Sequence, residues 1–346
     1  MTTLYVTHPA CERHLTGPGH PERPERLRAI DRSLANSGLA ERMTVVEAPE
    51  VDRDLLAAVH HRDYVARLEA LAAGGGGWLD SDTRVSPDSP LAARRAAGAA
   101  QRAAEGLCAG EAHRAFASVR PPGHHALPGR GMGFCLFNNV AVAALAARRA
   151  GRQRVMIVDW DVHHGNGTQA VFWRDPSVLV ISLHQEYWYP GTGAVEEVGE
   201  GPGEGFTVNV PLPAQTGDGG YQDAFAEVVL PLVSAFVPDF IAISAGYDAH
   251  FSDPLGGMVL TARGFGCLAR MLDEAARARG IPVLAVLEGG YDLQALGASV
   301  VATLEALTGH SAWGATDEEA PPAAPAALVG ARLRQVRRVL LAHWHI

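Results

Sequence analysis

Short runs of branched apolar residues alternate with longer amphipathic stretches along most of this chain. Runs such as 155–158 and 240–244 are bounded by turn residues, which is typical of strands buried on both faces of a sheet. The stretches between them, such as 90–108 and 261–279, are typical of helices. Alternating strands and helices predict parallel pairing through right-handed crossovers. We therefore expect an α/β fold.

The same pattern assigns the individual elements. The predicted strands span 4–6, 44–46, 115–119, 155–158, 178–183, 206–210, 240–244 and 282–287. The predicted helices span 51–73, 90–108, 140–150, 168–173, 221–236, 261–279 and 293–307, and one more begins near residue 24. We expect one domain over 1–310 and a Pro/Ala-rich linker over 311–327. An amphipathic helix over 328–346 is expected to pack on the same domain or extend it.

Composition and charge exclude several classes of partner. Of the 346 residues, 47% are hydrophobic and 19% charged, which is typical of a globule with a large core. The net charge of -9 argues against binding to nucleic acid or to an anionic membrane, and tolerates a cationic substrate. No apolar run approaches the roughly 18–20 residues of a membrane-spanning helix. The sequence leaves the oligomeric state open, including a homo-oligomer.

The cysteines and the N-terminus indicate a cytoplasmic protein. The four cysteines stand far apart without a CxxC pair, which favours reduced thiols. The first residues, MTTLYVTHPA, lack the basic and apolar regions of a secretory signal.

Polar residues gather where the predicted strands end. Asp159, Asp161 and His163 follow the strand at 155–158. If the chain stays extended, these three side chains point to one side. Asp248 and Tyr291 follow two later strands. Because the carboxyl ends of parallel strands converge on one edge, we expect all of these residues to meet there.

Asp161, His163 and Asp248 would form a three-ligand metal site with an open position, as in catalytic zinc sites. Fe²⁺ and Mn²⁺ also suit two carboxylates and one imidazole. A single Asp after a strand is more often a loop cap or an ion-pair partner. Three groups at neighbouring strand ends favour the metal.

A loop dense in Gly and His adds His124 and His125. Adjacent loop histidines are usually surface or packing residues, but a His beside a metal-bound water is a natural general base. Asp159 and Asn166 would hold the two imidazoles in their working tautomers. Tyr291 after two glycines would aim a phenol at an oxyanion, although an ordinary interfacial tyrosine is the alternative. The sequence lacks the motifs of nucleotide-binding proteins and of serine hydrolases, which argues against both functions.

The chain resembles the zinc-dependent histone deacetylase family, and within it the class II-like bacterial histone deacetylase-like amidohydrolases. The matching stretches are HPERPERL (20–27), RPPGHHA (120–126), GMGFCLFNN (131–139), DWDVHHGNGTQ (159–169), SLHQ (182–185), YPGTG (189–193), NVPL (209–212), SAGYDAH (244–250), DPLGG (253–257) and LEGGYDL (287–293). The resemblance covers the chain up to about residue 310. It implies the three-layer arginase-deacetylase fold, with an eight-stranded, mainly parallel sheet flanked by helices.

The resemblance also implies roles for individual residues. Zn²⁺ would bind Asp161, His163 and Asp248. His125 would act as general base and acid, His124 as its electrostatic neighbour, and Tyr291 would polarise the acyl carbonyl. The implied acyl-lysine tunnel is lined by Gly133, Phe134, Tyr189 and Leu255, with Asp82 as a rim carboxylate. One implied K⁺ site consists of Asp159, Asp161, His163, Ser182 and Leu183, and the other of Phe172, Asp175, Val178 and Phe206.

Three positions separate this chain from other family members. Tyr189 stands where the family usually has Phe. Asn166 replaces the Asp of class I members, and this neutral partner should leave His125 less basic. Leu255 occupies the position where polyamine deacetylases carry an acidic residue. His164 is left without a catalytic role, and we interpret it as structural.

We therefore expect a metal-dependent amidohydrolase that removes acetyl or other acyl groups from N-acyl-lysine-type substrates, in peptides or proteins. An alternative is deacetylation of a small acetylated amine, such as a polyamine or a metabolite of acetoin-related pathways. A non-catalytic acyl-ligand binding protein is the alternative from another class. It is disfavoured because every expected ligand, His and Tyr is present.

Overall fold

The computed structural model describes residues 3–309 and 318–346. Its strands are β1 (Thr3–Thr7), β2 (Met43–Glu47), β3 (Gly77–Trp78), β4 (Arg84–Val85), β5 (Arg114–Ala117), β6 (Val155–Asp159), β7 (Val178–Gln185), β8 (Thr207–Leu212), β9 (Phe240–Ala245) and β10 (Val283–Leu287). Its α-helices are α1 (Glu25–Ser37), α2 (Arg53–Val59), α3 (Arg62–Ala73), α4 (Ser89–Cys108), α5 (Asn139–Arg149), α6 (Asn166–Phe172), α7 (Asp218–Ala224), α8 (Leu230–Phe236), α9 (Ala262–Arg277), α10 (Leu293–Thr308) and α11 (Ala326–Leu340).

Eight strands form one parallel sheet in the order β2-β1-β5-β10-β9-β6-β7-β8. The two short strands β3 and β4 pair antiparallel in a separate hairpin. The expected α/β fold with an eight-stranded sheet flanked by helices is confirmed.

The central strands are apolar because helices cover both faces of the sheet. Every residue of β6, β9 and β10 is buried, as expected for parallel strands without alternating polar positions. The edge strand β2 differs, because Val45 is 64% exposed. The core therefore lies around β6, β9 and β10, and these strands form a rigid base for the residues that follow them.

The expectation of one helix over 51–73 is wrong. The structure has two helices, α2 and α3, separated at His60, whose backbone is extended (φ -122°, ψ 139°). The His60 ring is anchored on both sides: Nδ1 lies 3.0 Å from the carbonyl oxygen of Leu127, and Nε2 accepts the N–H of Asn138 at 2.9 Å. These long-range hydrogen bonds hold the chain out of the helix, and neither Gly nor Pro marks the break.

The C-terminal helix α11 begins at Ala326, two residues before the expected start. Its buried face consists of Val329, Leu333, Val336 and Leu340. Before it, the N–H of Ala324 donates to the carbonyl of Gln215 at 2.7 Å. Residues 311–317 of the expected linker lie outside the described residues, and the division into domain and linker stays a prediction.

Two further expectations concern the whole chain. All four cysteines are free thiols, as expected. Among the described residues, no helix combines the length and apolar character needed to cross a membrane.

Candidate active site

The strand ends that carry the candidate residues are neighbours in the sheet. β6 ends at Asp159, β9 leads to Asp248 and β10 leads to Tyr291, and these strands lie side by side. Because parallel strands end on the same edge, the side chains that follow them meet there. The topology thus gathers residues that are far apart in the sequence.

Asp161, His163 and Asp248 form a compact group, with one ligand atom of each within 4.8 Å of the others. Nδ1 of His163 lies 3.0 Å from Oδ1 of Asp161 and 3.1 Å from Oδ2 of Asp248. The N–H groups of Gly289 and Val162 donate to the other two carboxylate oxygens at 2.9 Å. Two buried carboxylates and an imidazole nitrogen around one point match the donor set of a metal ion.

Negative charge dominates this group. Burial alone would lower the pKa of His163, but hydrogen bonds to Asp161 and Asp248 raise it to about 10. Burial would raise the pKa of Asp161, but His124 and His163 hold that pKa far below its usual range. The group therefore favours a positive charge between its carboxylates, which is what a cation site requires.

The chain does not stay extended after β6, so the condition for a common direction of Asp159, Asp161 and His163 is not met. The N–H of Asp161 donates to Oδ1 of Asp159 at 3.1 Å, and the N–H of His163 donates to Oδ1 of Asp161 at 2.9 Å. Each carboxylate therefore closes a local turn. Oδ2 of Asp159 lies 2.9 Å from Nδ1 of His124, so Asp159 is the partner of a histidine.

The two adjacent histidines have different environments. Burial alone would lower the pKa of His124, but the carboxylates of Asp161 and Asp159 raise it well above its ordinary value. Nδ1 of His125 lies 2.7 Å from Oδ1 of Asn166. Burial, and then the neighbouring His124, lower the pKa of His125 well below its ordinary value. The pKa values of the two adjacent imidazoles are thus displaced in opposite directions.

A cavity of about 280 Å³ reaches this group from the surface. It is lined by Asp82, His125, Gly133, Phe134, His163, Trp188, Tyr189, Pro254, Leu255 and Tyr291. All five residues expected around a substrate tunnel belong to this lining. Gly133 has a φ of 55°, and a Cβ there would lie 2.5 Å from the ring of His125. Only glycine lets the wall approach the histidine so closely.

Tyr291 is held in the cavity wall from three directions. Its backbone N–H donates to Oδ2 of Asp253 at 2.6 Å. Its ring packs edge-on against Phe134, with ring centroids 5.7 Å apart. The guanidinium carbon of Arg26 lies 4.9 Å from the Tyr291 ring centroid. The position of the phenol is therefore fixed by packing.

The family model of the histone deacetylase domain matches residues 20–307. The chain belongs to the histone deacetylase family. This membership supports hydrolase activity of the deacetylase or amidohydrolase kind, and the family generally uses zinc. In this deacetylase-family chain, Asp161, His163 and Asp248 are the candidate metal ligands.

Relatives from three different organisms support the family assignment. The chain is 46% identical over 297 residues to Histone deacetylase 15 of Arabidopsis thaliana, covering 84% of this chain and 53% of that protein. It is 44% identical to a probable deacetylase of Archaeoglobus fulgidus, covering 85% and 82%. It is 42% identical to the histone deacetylase-like amidohydrolase of Pseudomonas aeruginosa, covering 84% and 77%. The chain thus spans about half of the plant protein and about four fifths of the other two.

A solved structure supports the same family assignment. The crystal structure of the HDA15 HD domain matches with a TM-score of 0.91 at 41% identity. The match covers 99% of this chain and 95% of that one. The fold is therefore that of the deacetylase family.

Sequence reasoning missed a buried charged network behind the Tyr291 loop of this deacetylase-family site. Arg26 donates to the carbonyls of Gly290 at 2.6 Å and Glu288 at 2.5 Å. Glu22 lies between Arg26 and Arg120. Burial opposes its charge, but Arg120 above all lowers the pKa of Glu22 to about 2. The motifs HPERPERL and RPPGHHA contain these charges, but their contacts join residues that are 98 positions apart for Glu22 and Arg120 and 264 apart for Arg26 and Gly290.

Two residues of the cavity mouth were also missed. Trp188 and Pro254 line the mouth, and Nε1 of Trp188 donates to the carbonyl of Leu255 at 2.9 Å. A Trp in a glycine-rich loop was the available signal for the mouth.

Glu288 was missed at the base, where its carboxylate accepts the N–H groups of Gly123 at 2.6 Å and of His124 at 3.1 Å.

The residues expected around K⁺ fall into two groups. Asp159 and Ser182 are paired across β6 and β7, beside Asp161, His163 and Leu183. In the second group, the N–H of Asp175 donates to the carbonyl of Phe172 at 3.0 Å, and that of Val178 to Asp175 at 3.4 Å. The carbonyl of Phe206 accepts the N–H of Val180 at 2.9 Å. K⁺ binding at either group stays a prediction.

His164 has partners outside the metal group. Its Nδ1 lies 2.8 Å from Oγ1 of Thr192, and its Nε2 lies 3.0 Å from Oε1 of Gln169. These contacts tie the glycine-rich loop to α6, which agrees with a structural interpretation.

Proposed function

We propose that this chain is a zinc-dependent deacetylase that removes acetyl or other acyl groups from N-acyl-lysine-type amides. The observation that carries the proposal is the cavity of about 280 Å³ that ends at His163 of the metal-ligand group, with His125 and Tyr291 in its wall. A narrow cavity with apolar walls suits the unbranched alkyl chain of lysine. The reacting amide would then lie at the base, among the titratable groups.

The donor set fits a zinc ion held by Asp161, His163 and Asp248, with Fe²⁺ as the alternative. When bound, Zn²⁺ would lower the pKa of a water molecule to roughly 7 and polarise the acyl carbonyl. The hydrogen bonds from Gly289 and Val162 orient the carboxylates and occupy the oxygens that do not face His163.

His125 would take the proton from the attacking water and return it to the leaving amine. With Nδ1 engaged by Asn166, Nε2 is the nitrogen that accepts the proton. His124, paired with Asp159, would supply a fixed positive charge beside the reacting carbonyl. The phenol of Tyr291 would donate to the oxyanion that forms there.

The walls of the cavity define the substrate class. Gly133, Phe134, Tyr189 and Leu255 would enclose the alkyl chain. Asp82 would accept a backbone N–H of a peptide substrate at the mouth. The same carboxylate also supports a second candidate, a small acetylated amine with a distant positive charge. The partner is thus an acyl-lysine peptide or protein, or a small acylated amine.

The proposal extends to the rest of the molecule. We assign 1–310 to the catalytic domain, with the C-terminal helix packed on it, and place structural K⁺ at the two groups described above. We place the protein in the cytoplasm.

Metal analysis of the purified protein, combined with hydrolysis assays, tests the proposal. The wild type should bind stoichiometric zinc or iron and hydrolyse an acetyl-lysine peptide faster than an acetylated polyamine. Asp248→Asn should lose both metal and activity. Asp63→Asn, an exposed position on α3, is the matched control and should retain both. Full activity in Asp248→Asn would refute the proposal.

A further inference from the structure

Two loops meet over the mouth of the cavity. The first mouth loop, 186–193, carries Trp188 and Tyr189, and the second mouth loop, 253–257, carries Leu255. Nε1 of Trp188 donates to the carbonyl of Leu255 at 2.9 Å, so the loops touch directly. The width of the mouth therefore depends on how each loop is anchored.

The first mouth loop is anchored by the C-terminal helix. Arg332 of α11 forms an ion pair with Glu186, and both side chains are about four fifths buried (20% and 21% exposed). The backbone N–H of Glu186 also donates to the carbonyl of Leu212 at the end of β8. Glu186 is only two residues from Trp188. A charge-assisted hydrogen bond at the root of a loop restricts the residues that follow it.

The second mouth loop is linked to the same C-terminal segment through a ladder of hydrogen bonds. The N–H of Ala324 donates to the carbonyl of Gln215, and the N–H of Gln215 donates to the carbonyl of Gly257, both at 2.7 Å. The N–H of Gly257 then donates to Oε1 of Gln185 at 2.7 Å. The C-terminal segment 318–346, here called the strap, is thus linked to both mouth loops.

A second anchor lies at the start of this strap. The carboxylate of Glu318 accepts the N–H of Ala262 at 2.8 Å and lies 3.3 Å from Nε2 of His250. Nδ1 of His250 in turn accepts the N–H of Ser252, next to the second mouth loop. All of these strap residues follow residue 307, where the match to the histone deacetylase domain ends.

We propose that residues 318–346 hold the two mouth loops in the geometry that admits the substrate, with Arg332 as a positioning residue for Trp188 and Tyr189. The inference rests on the proposed function, since it assigns the segment a role in substrate binding at the same site. Within the described residues, the side-chain hydrogen bonds of Arg332 go to Glu186 and Gln335, away from the base of the cavity. Its loss therefore weakens substrate binding and leaves bond cleavage intact.

Hydrogen–deuterium exchange of the full-length protein tests the anchoring without any substrate. Arg332→Ala should speed amide exchange across residues 187–193 by about fivefold, the factor expected for losing an ion pair worth about 1 kcal/mol. Arg338→Ala, on the exposed side of the same helix, should leave that exchange unchanged. Unchanged exchange in Arg332→Ala would overturn the inference.

Kinetics with an acetyl-lysine peptide separate binding from cleavage. Arg332→Ala should raise KM about fivefold with kcat retained, whereas Arg338→Ala should match the wild type. Exchanging the charges, Glu186→Arg with Arg332→Glu, should restore both KM and loop exchange. A fall in kcat at unchanged KM, or no restoration by the exchanged pair, would overturn the positioning role. A wild type without turnover would instead refute the proposed function, and the exchange result would still decide whether the segment anchors the loops.

Discussion

His124 and His125 are adjacent in one loop, yet their pKa values are displaced in opposite directions. The carboxylates of Asp161 and Asp159 surround the first, whereas the second is buried against the neutral amide of Asn166. Pairs of titratable groups whose environments separate their pKa values are typical of acid–base sites. The two residues are thus chemically distinct despite their identical side chains.

Tyr291→Phe tests the role of the phenol. Since Asp253 holds the backbone N–H of Tyr291 and the ring packs against Phe134 and Arg26, removing the hydroxyl should leave the fold and the melting temperature unchanged. We expect kcat for an acetyl-lysine peptide to fall about 10²–10³-fold, the usual effect of losing one oxyanion donor. KM should change little, because the hydroxyl acts in the transition state. An undiminished kcat would exclude Tyr291 as the donor.

Leu255→Glu tests the choice of substrate. A carboxylate at the mouth, close to Asp82, should attract a polycation, so kcat/KM for an acetylated polyamine should rise about tenfold relative to an acetyl-lysine peptide. Leu255→Gln is the matched control, because it adds a polar group of the same size without charge. If both variants shift the ratio equally, polarity and not charge selects the substrate.

The sequence predicted the residues at the base of the site better than those that support them. Asp161, His163 and Asp248 could be predicted because three potential metal ligands together follow neighbouring buried strands. Glu22 and Arg26 lie in a charged, loop-like stretch, where charges are ordinary. Arg26 matters because it donates to the carbonyls of Glu288 and Gly290, and Glu22 because it is buried between Arg26 and Arg120. Only the assembled fold reveals these contacts.

Close packing governs the elements around the site, and α4 gives an example. Gly98 lies in the middle of this Ala-rich helix, and a Cβ there would overlap the carbonyl oxygen of Pro49. The chain before α2 therefore rests directly on the helix backbone.

Gly98→Ala should lower the free energy of unfolding by about 1–3 kcal/mol, because overpacking outweighs the gain in helix propensity. Gly330→Ala in α11 is the matched control. The nearest atom there is the end of the flexible Arg334 side chain at 3.3 Å, so this change should stabilise by up to about 1 kcal/mol. Urea denaturation measures both. Stabilisation by Gly98→Ala would contradict the packing argument.

At the scale of elements, the apolar pattern located every strand of the main sheet to within a few residues. It failed at the junction between α2 and α3, where the pattern continues through His60 without a breaking residue. Periodicity reports which face of a segment is buried. It cannot report that the His60 side chain forms hydrogen bonds with the backbone of Leu127 and Asn138 and so interrupts the helix.

His60 also makes the stability of the whole molecule depend on pH. Burial lowers its pKa from 6.5 to about 4, and its hydrogen bonds require the neutral ring. Between these two values the unfolded chain binds a proton that the folded protein does not. The contribution of His60 is therefore present above pH 6.5 and is lost as the pH falls towards 4.

This linkage predicts a loss of about 2 kcal/mol of stability from His60 between pH 7 and pH 5. Denaturant titrations of the wild type and of His60→Gln, whose side chain does not titrate, measure it. The variant should start from a lower stability at pH 7 but lose less on acidification. An identical pH dependence in the two proteins would show that His60 does not carry the effect.

The order of strands in the sheet has a consequence for biosynthesis. β6 and β9 are adjacent, yet His163 and Asp248 are separated by 85 residues of chain, and β10 with Tyr291 follows later still. A nascent polypeptide that has emerged only as far as His163 carries two of the three candidate donors and still lacks β9, the strand that leads to the third. The three-donor group is therefore complete only after synthesis has passed Asp248, so an ion held by all three donors would be captured after β9 has joined β6.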